Sequence, residues 1–221
     1  MTLFRSLCLT ILLTLAIQPL ALPVHAMTVL AVELPQLVQT SELVLHGKIV
    51  DVKNRDRSKD GQGVWTEFTL EIIDAWKGQG VVDVSPARTT DPRTGAKRFT
   101  WAHPGGLRAD GMMVTVPGMP AFAVGEEVVV ALEKTAQGHV ICGGPQGKWK
   151  VEADKSGKKT VVRAMTDVQF LSQNRQTGAV APAAAPASAA KSLAAFKADV
   201  LAAQKAAPAP AVAPIPVQKI K

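Results

Sequence analysis

The stretch "VPGMPAFAVGEEVVVALEK", Val116 to Lys134, carries the reading of the fold. In its second half Val128, Val130 and Leu132 alternate with Val129, Ala131 and Glu133. A period of two is the signature of a strand, and apolar side chains on both parities predict a strand covered on both faces. In the first half Pro117 and Pro120 fix their own φ and push the residues before them toward extended geometry. Gly118 permits the turn between them. The segment therefore reads as a stiff crossing that delivers the chain to a buried strand. Met119, Phe122 and the prolines would form an apolar rim if the crossing met a partner, but the corner role accounts for every residue without one.

Working outward, short strand-like runs separated by turn signals fill residues 42 to 163. "SELVLHGKIVDVK" has Leu43 and Leu45 on one parity and Val50 and Val52 on the other, so its phase switches near Gly47, which predicts a bulge. In "VWTEFTLEIIDAWKG", Phe68, Leu70 and Ile72 oppose Glu67, Thr69 and Glu71, and the Ile72-Ile73 doublet breaks the alternation. "GVVDVSPAR" reads as a third strand. "DGMMVTV", "HVICGG" and "GKWKVEAD" with "GKKTVVRA" follow, the last two joined by a Ser-Gly hairpin turn. Ahead of the first strand, "LPQLVQTS" predicts a short helix with Pro35 in its first turn. Many short strands, two bulges and little helix predict an all-β fold, a small antiparallel OB-like barrel with a short N-terminal helix.

The runs "LVLHGKIVDV", "TEFTLEIIDAWKG", "VPGMPAFAVGEEVVVALEK" and "GGPQGKWKV" resemble a group of secreted bacterial β-domain proteins of uncharacterised function, over most of residues 35 to 152. In order and spacing the same runs, with "GHVIC", are similar to the netrin-like barrel of tissue inhibitors of metalloproteinases. That resemblance implies an OB-type barrel. The inhibitory chemistry of that family depends on an N-terminal cysteine locked by disulfides, and this chain offers neither.

The chain opens with Arg5, an apolar run "LCLTILLTLAI" and the small-residue site "VHA", Val24 to Ala26. Together they predict a signal peptide over residues 1–26 and an exported protein, periplasmic or extracellular. Pro19 and Pro23 interrupt the helix that an uncleaved anchor would need, and no transmembrane helix is expected after residue 26. Cys8 precedes the apolar run, which argues against lipidation. After residue 26 only Cys142 remains, so no intrachain disulfide can form. The formal net charge is +7, but residues 27–172 carry 18 Lys and Arg against 17 Asp and Glu. The excess lies in residues 173–221, with 6 against 1, and a near-neutral folded part gives no nucleic-acid signal. That last region is rich in alanine and proline and predicts a flexible low-complexity tail. Within it "SLAAFKADVLAAQK" spaces Leu193, Phe196, Val200 and Leu201 as an amphipathic helix over 192–205 capped by Ser192; the helix folds back onto the barrel, or melts, or makes a peripheral contact with an anionic envelope surface or a partner groove.

No strong catalytic constellation is legible. His46, His103 and His139 show no paired ligand spacing, so no metal and no cofactor is expected, and each reads as a solvent-exposed strand or loop residue. His139 and Cys142 fall on opposite faces of a strand, and Cys142 reads as a buried small hydrophobe. "PGG" and "GGPQG" read as tight turns. Two surfaces are candidates for binding. The first is the basic hairpin, where Trp149 between Lys148 and Lys150, near Lys158 and Lys159, could stack a ring, although strand periodicity equally turns Trp149 to the core. The second is the long insertion Thr89 to Gly111, with Arg98 and Trp101. The chain is thus expected to be an exported non-catalytic binding module for a secreted protein or an anionic envelope component. An envelope-associated structural protein tethered by its tail is the alternative, and a hydrolase the third.

Overall fold

A computed structural model describes residues 27–206 except 164, 166, 167, 175, 176, 178 and 186–189; the expected signal peptide and the last residues of the tail lie outside them. The chain runs β1 (Met27–Leu30), α1 (Leu34–Thr40), β2 (Leu43–Arg57), β3 (Gly63–Lys77), α2 (Gln79–Val84), β4 (Arg88–Thr90), β5 (Lys97–Pro104), β6 (Gly106–Leu107) and β7 (Met113–Val114). It continues through β8 (Glu127–Thr135), β9 (Gly138–Ile141), β10 (Lys148–Ala153), β11 (Lys159–Val162), β12 (Val168–Gln173), β13 (Val180–Ala183), β14 (Lys191–Ser192) and α3 (Leu193–Lys205).

The fold is mostly β, as expected. Its main sheet follows the order β14-β11-β10-β8-β2-β3-β5-β4, with β9 also paired to β8. This hydrogen-bonded path has two ends and does not close into a barrel. β5 and β9 stand side by side, with the Phe99 and His139 rings 5.0 Å apart, yet no ladder joins them. A three-stranded sheet β1-β12-β13 and the β6-β7 hairpin complete the strands.

β8 lies between two apolar clusters, as its two-sided pattern predicts. Val128, Val130 and Leu132 enter one with Leu45, Phe68 and Phe99, while Val129 and Ala131 enter the other with Val44, Trp76 and Trp149. The sheet thus buries both faces. The second face is covered by α1 and α3, through Leu37, Val38, Phe196 and Val200.

The β2-β3 pair is shaped by its irregularities. Register shifts fall between Val44 and Leu45, between His46 and Gly47, and between Ile49 and Asp51. Val50 on β2 and Ile73 and Trp76 on β3 are the extra residues, so the phase of β2 switches at Val50 and not at Gly47 itself. Gly47 answers a different need. A Cβ there would run into the Glu71 carbonyl oxygen and stand 2.8 Å from Leu70 Cγ, so only glycine lets β3 cross so closely.

Three sequence expectations are corrected. "GVVDV" forms α2 instead of a strand; a run that short suits either element. The insertion Thr89 to Gly111 is not an open loop: it contains β5, whose Phe99, Trp101 and His103 alternate inward. The folded unit also continues beyond residue 172. β12 pairs with β1, and α3, capped by the Ser192 hydroxyl accepting from Ala195 N at 3.2 Å, docks on the core. Phe196 lies 5.1 Å from the Trp149 ring and 6.0 Å from Trp76, and Gln204 donates to the Trp76 carbonyl at 2.8 Å.

Two long-range clasps hold α1 and β1. Lys77 Nζ donates to the carbonyls of Val38 at 2.6 Å, Gln39 at 3.2 Å and Ser41 at 2.5 Å, closing the C-terminal end of α1. The buried Gln146 side chain accepts from Val32 N at 2.8 Å and donates to Leu30 O at 2.9 Å, as a neighbouring strand would.

Candidate functional site

The two tryptophans singled out from the sequence lie on opposite faces of the sheet. Trp149 is 4% exposed, in contact with Phe196, and the Arg163 guanidinium stands 4.9 Å from its ring. Burial pushes the Arg163 pKa down to about 10. Trp101 is 2% exposed in the other cluster, stacked with Phe68 at 5.6 Å. Neither ring face is open for a base or sugar, because strand alternation turns both side chains inward.

The cations around them are mostly engaged. Lys148 Nζ pairs with Glu126 at 2.7 Å, donates to Ala121 O at 2.5 Å and sits 4.4 Å from the Phe122 ring centroid. Lys150 pairs with Glu152 at 2.8 Å, and Lys159 reaches both Glu127 oxygens at 2.8 and 2.9 Å. Arg98 pairs with Asp91 and stands 3.6 Å from Glu71. Lys158 is exposed on the β10-β11 turn, its backbone N–H donating to Asp154. The hairpin turn is therefore where predicted, but the residues on it and in the insertion do not converge on one surface.

The histidines overturn the expectation of exposed residues. His46 is buried with its Nε2 2.7 Å from Glu127 Oε1, and its ring lies 5.6 Å from Trp76. Burial of Glu127 raises its pKa, but hydrogen bonds from Lys159 and His46 outweigh this and hold the carboxyl below the usual carboxylate range. The His139 side chain is 8% exposed, with its Nε2 2.7 Å from Glu42 Oε2. His103 lies under the proline crossing, Nε2 3.2 Å from Pro120 O, and burial pushes its pKa down. The partners of His46 and His139 are 81 and 97 residues away, so no local spacing could signal them.

A His-carboxylate pair can orient an imidazole for proton transfer, but a reaction also needs a nucleophile within reach. The Glu127 carboxylate is shared with Lys159, and the described contacts place no hydroxyl or thiol on His46. Cys142 instead contacts Thr40 Oγ1 at 3.4 Å, and burial pushes its thiol pKa up, which disfavours the reactive thiolate. Among the described residues no group of three His, Cys, Asp or Glu could hold a metal ion, and no helix is long and apolar enough to cross a membrane.

The feature the sequence did not single out is the β6-β7 hairpin, at the end of the insertion and just beyond it. Leu107, Met112, Met113 and Val114 are 42%, 56%, 66% and 36% exposed on and beside the β6-β7 hairpin. The hairpin is braced by the β2-β3 arm. Asn54 Oδ1 accepts from Leu107 N at 3.0 Å and Asp56 Oδ2 from Ala109 N at 2.7 Å. The bond from Ala109 N, with those from Ser58, lowers the Asp56 pKa to about 2. At Gly106, φ is 134° and a Cβ would meet Asn54 Oδ1 and Thr66 Oγ1 at 2.5 Å, so the brace requires glycine. Paired "MM" within "DGMMVTV" is the only local signal of this patch.

Comparison with protein-family models, curated proteins and solved structures finds no match.

Proposed function

We propose that the chain is an exported, non-catalytic binding module on an OB-like β domain, and that it engages a secreted protein through the β6-β7 hairpin. The observation that carries this reading is the braced hairpin itself: four apolar side chains held out to solvent by hydrogen bonds that fix the backbone beneath them. Solvated apolar side chains clustered on a rigid support are costly to leave uncovered and mark interaction sites. The first strand of the hairpin, β6, falls in the insertion Thr89 to Gly111, and β7 lies just beyond it.

The OB-like reading is supported by the strand order. β2, β3 and β5 are successive neighbours, β8 lies on the other side of β2, and β9 extends from β8 to stand beside β5. A partly open five-stranded barrel has this arrangement. Export is supported by Arg5, the apolar run and Val24 to Ala26.

The test is capture of secreted proteins from the native culture by the chain and by a Leu107→Ser, Met112→Ser, Met113→Ser variant. Loss of a specific partner in the variant, with the thermal midpoint unchanged, is the expected result. Equal capture by both proteins would refute the hairpin as the contact. The tail-tether alternative is tested by removing residues 207–221 only, because a cut at residue 178 would also remove α3 from the core. Release from the envelope on that deletion would favour the tether.

A further inference from the structure

The proline crossing hides a second feature. Residues 115–126 form neither helix nor strand, and from them Phe122 drops into the aromatic cluster under β3 and β5. Its ring lies 4.8 Å from Phe68, 5.4 Å from Trp101 and 6.5 Å from His103. In the same cluster the Trp101 indole Nε1 is buried and has no hydrogen-bond partner among the described residues. A buried N–H without an acceptor is a standing penalty that natural cores avoid, and its presence calls for a reason.

We propose that the socket filled by Phe122 is a binding site for a small flat apolar ring bearing one hydrogen-bond acceptor, which would displace Phe122 and accept from Trp101 Nε1. The shape follows from the plug, since one phenyl ring leaves a space walled by Phe68, Trp101 and His103 that suits another ring. The acceptor follows from the orphaned indole. Lifting Phe122 breaks the bonds of His103 Nε2 to Pro120 O at 3.2 Å and of Lys148 Nζ to Ala121 O at 2.5 Å, and moves Ala123 against its two bonds with Glu126, while Gly125 N to Ile49 O at 2.8 Å keeps the end of the crossing on β2. Lys148 keeps Glu126 as a partner when its bond to Ala121 is lost. The site is independent of the exposed hairpin, and neither reading requires the other.

The experiment titrates the 15N-labelled chain with acetophenone and, in parallel, with ethylbenzene, which matches its shape but lacks the acceptor. The readout is the indole N–H resonance of Trp101, identified by its absence in Trp101→Phe. Saturable movement of that resonance with acetophenone and not with ethylbenzene is expected. Phe122→Ala, which removes the competing plug, should tighten acetophenone binding by about tenfold, and a Trp101→Phe variant should bind the two ligands within about twofold of each other. An unmoved Trp101 resonance in the wild-type chain overturns the proposal, whatever the variants do. So does an equal response to the hydrocarbon.

Discussion

Replacing Phe196 with alanine tests whether α3 belongs to the fold. The side chain is 6% exposed and touches both Trp149 and Trp76. Removing its buried area costs about 2–3 kcal/mol, and each lost aromatic contact adds about 0.5–1.5 kcal/mol. The sum, about 4 kcal/mol, falls within the usual range for a buried phenylalanine cut to alanine. For a domain of this size that lowers the midpoint by roughly 10 °C. Urea unfolding followed by tryptophan fluorescence is the direct assay, because two of the reporting rings contact the mutated side chain. An isolated helix as short as α3 is marginal in water, so the variant should also lose helical ellipticity before the main transition or together with it. Leu201→Ala, on the half-exposed outer face, serves as control and should shift stability by no more than about 0.5 kcal/mol. If Phe196→Ala costs less than about 1 kcal/mol, α3 is an appendage and the account of the second core fails.

Glu127→Gln should flatten the acid limb of the stability curve. The folded carboxyl titrates below its unfolded value, so its contribution is complete above the unfolded pKa and is lost as pH falls through the folded one. The wild type should therefore lose more stability than the variant between about pH 5 and about pH 3, measured as urea midpoints across that window. Lys77→Met leaves the carbonyls of Val38, Gln39 and Ser41 without their shared donor, and should cost about 1–3 kcal/mol with faster amide exchange in residues 34–40. Lys77→Arg should recover part of that loss, and equal exchange in all three proteins would show that the ammonium is not the cap.

Much of the local structure was written in short-range pattern. The two-sided run Val128 to Leu132 specified a covered strand, the Ile72-Ile73 doublet announced a bulge, and Ser192 with Phe196 and Val200 set the cap and the buried stripe of α3. β5 was legible too, in the alternation of Phe99, Trp101 and His103, but the charged and proline-rich residues around it made the region read as a loop. These features depend on side-chain periodicity and backbone propensity, which act over a few residues.

Only the tertiary structure decided which distant residues meet. It buried His46 and His103, joined His46 to Glu127 and His139 to Glu42, brought Lys77 to the end of α1, and seated the Ala-rich helix on Trp76 and Trp149. It also left the sheet open at β4 and β14 and gave it two buried faces in place of one enclosed core. The physical reason is register: each extra residue on β2 or β3 reverses the faces of everything beyond it, so partners depend on the sum of all earlier bulges and on pairings across the whole chain.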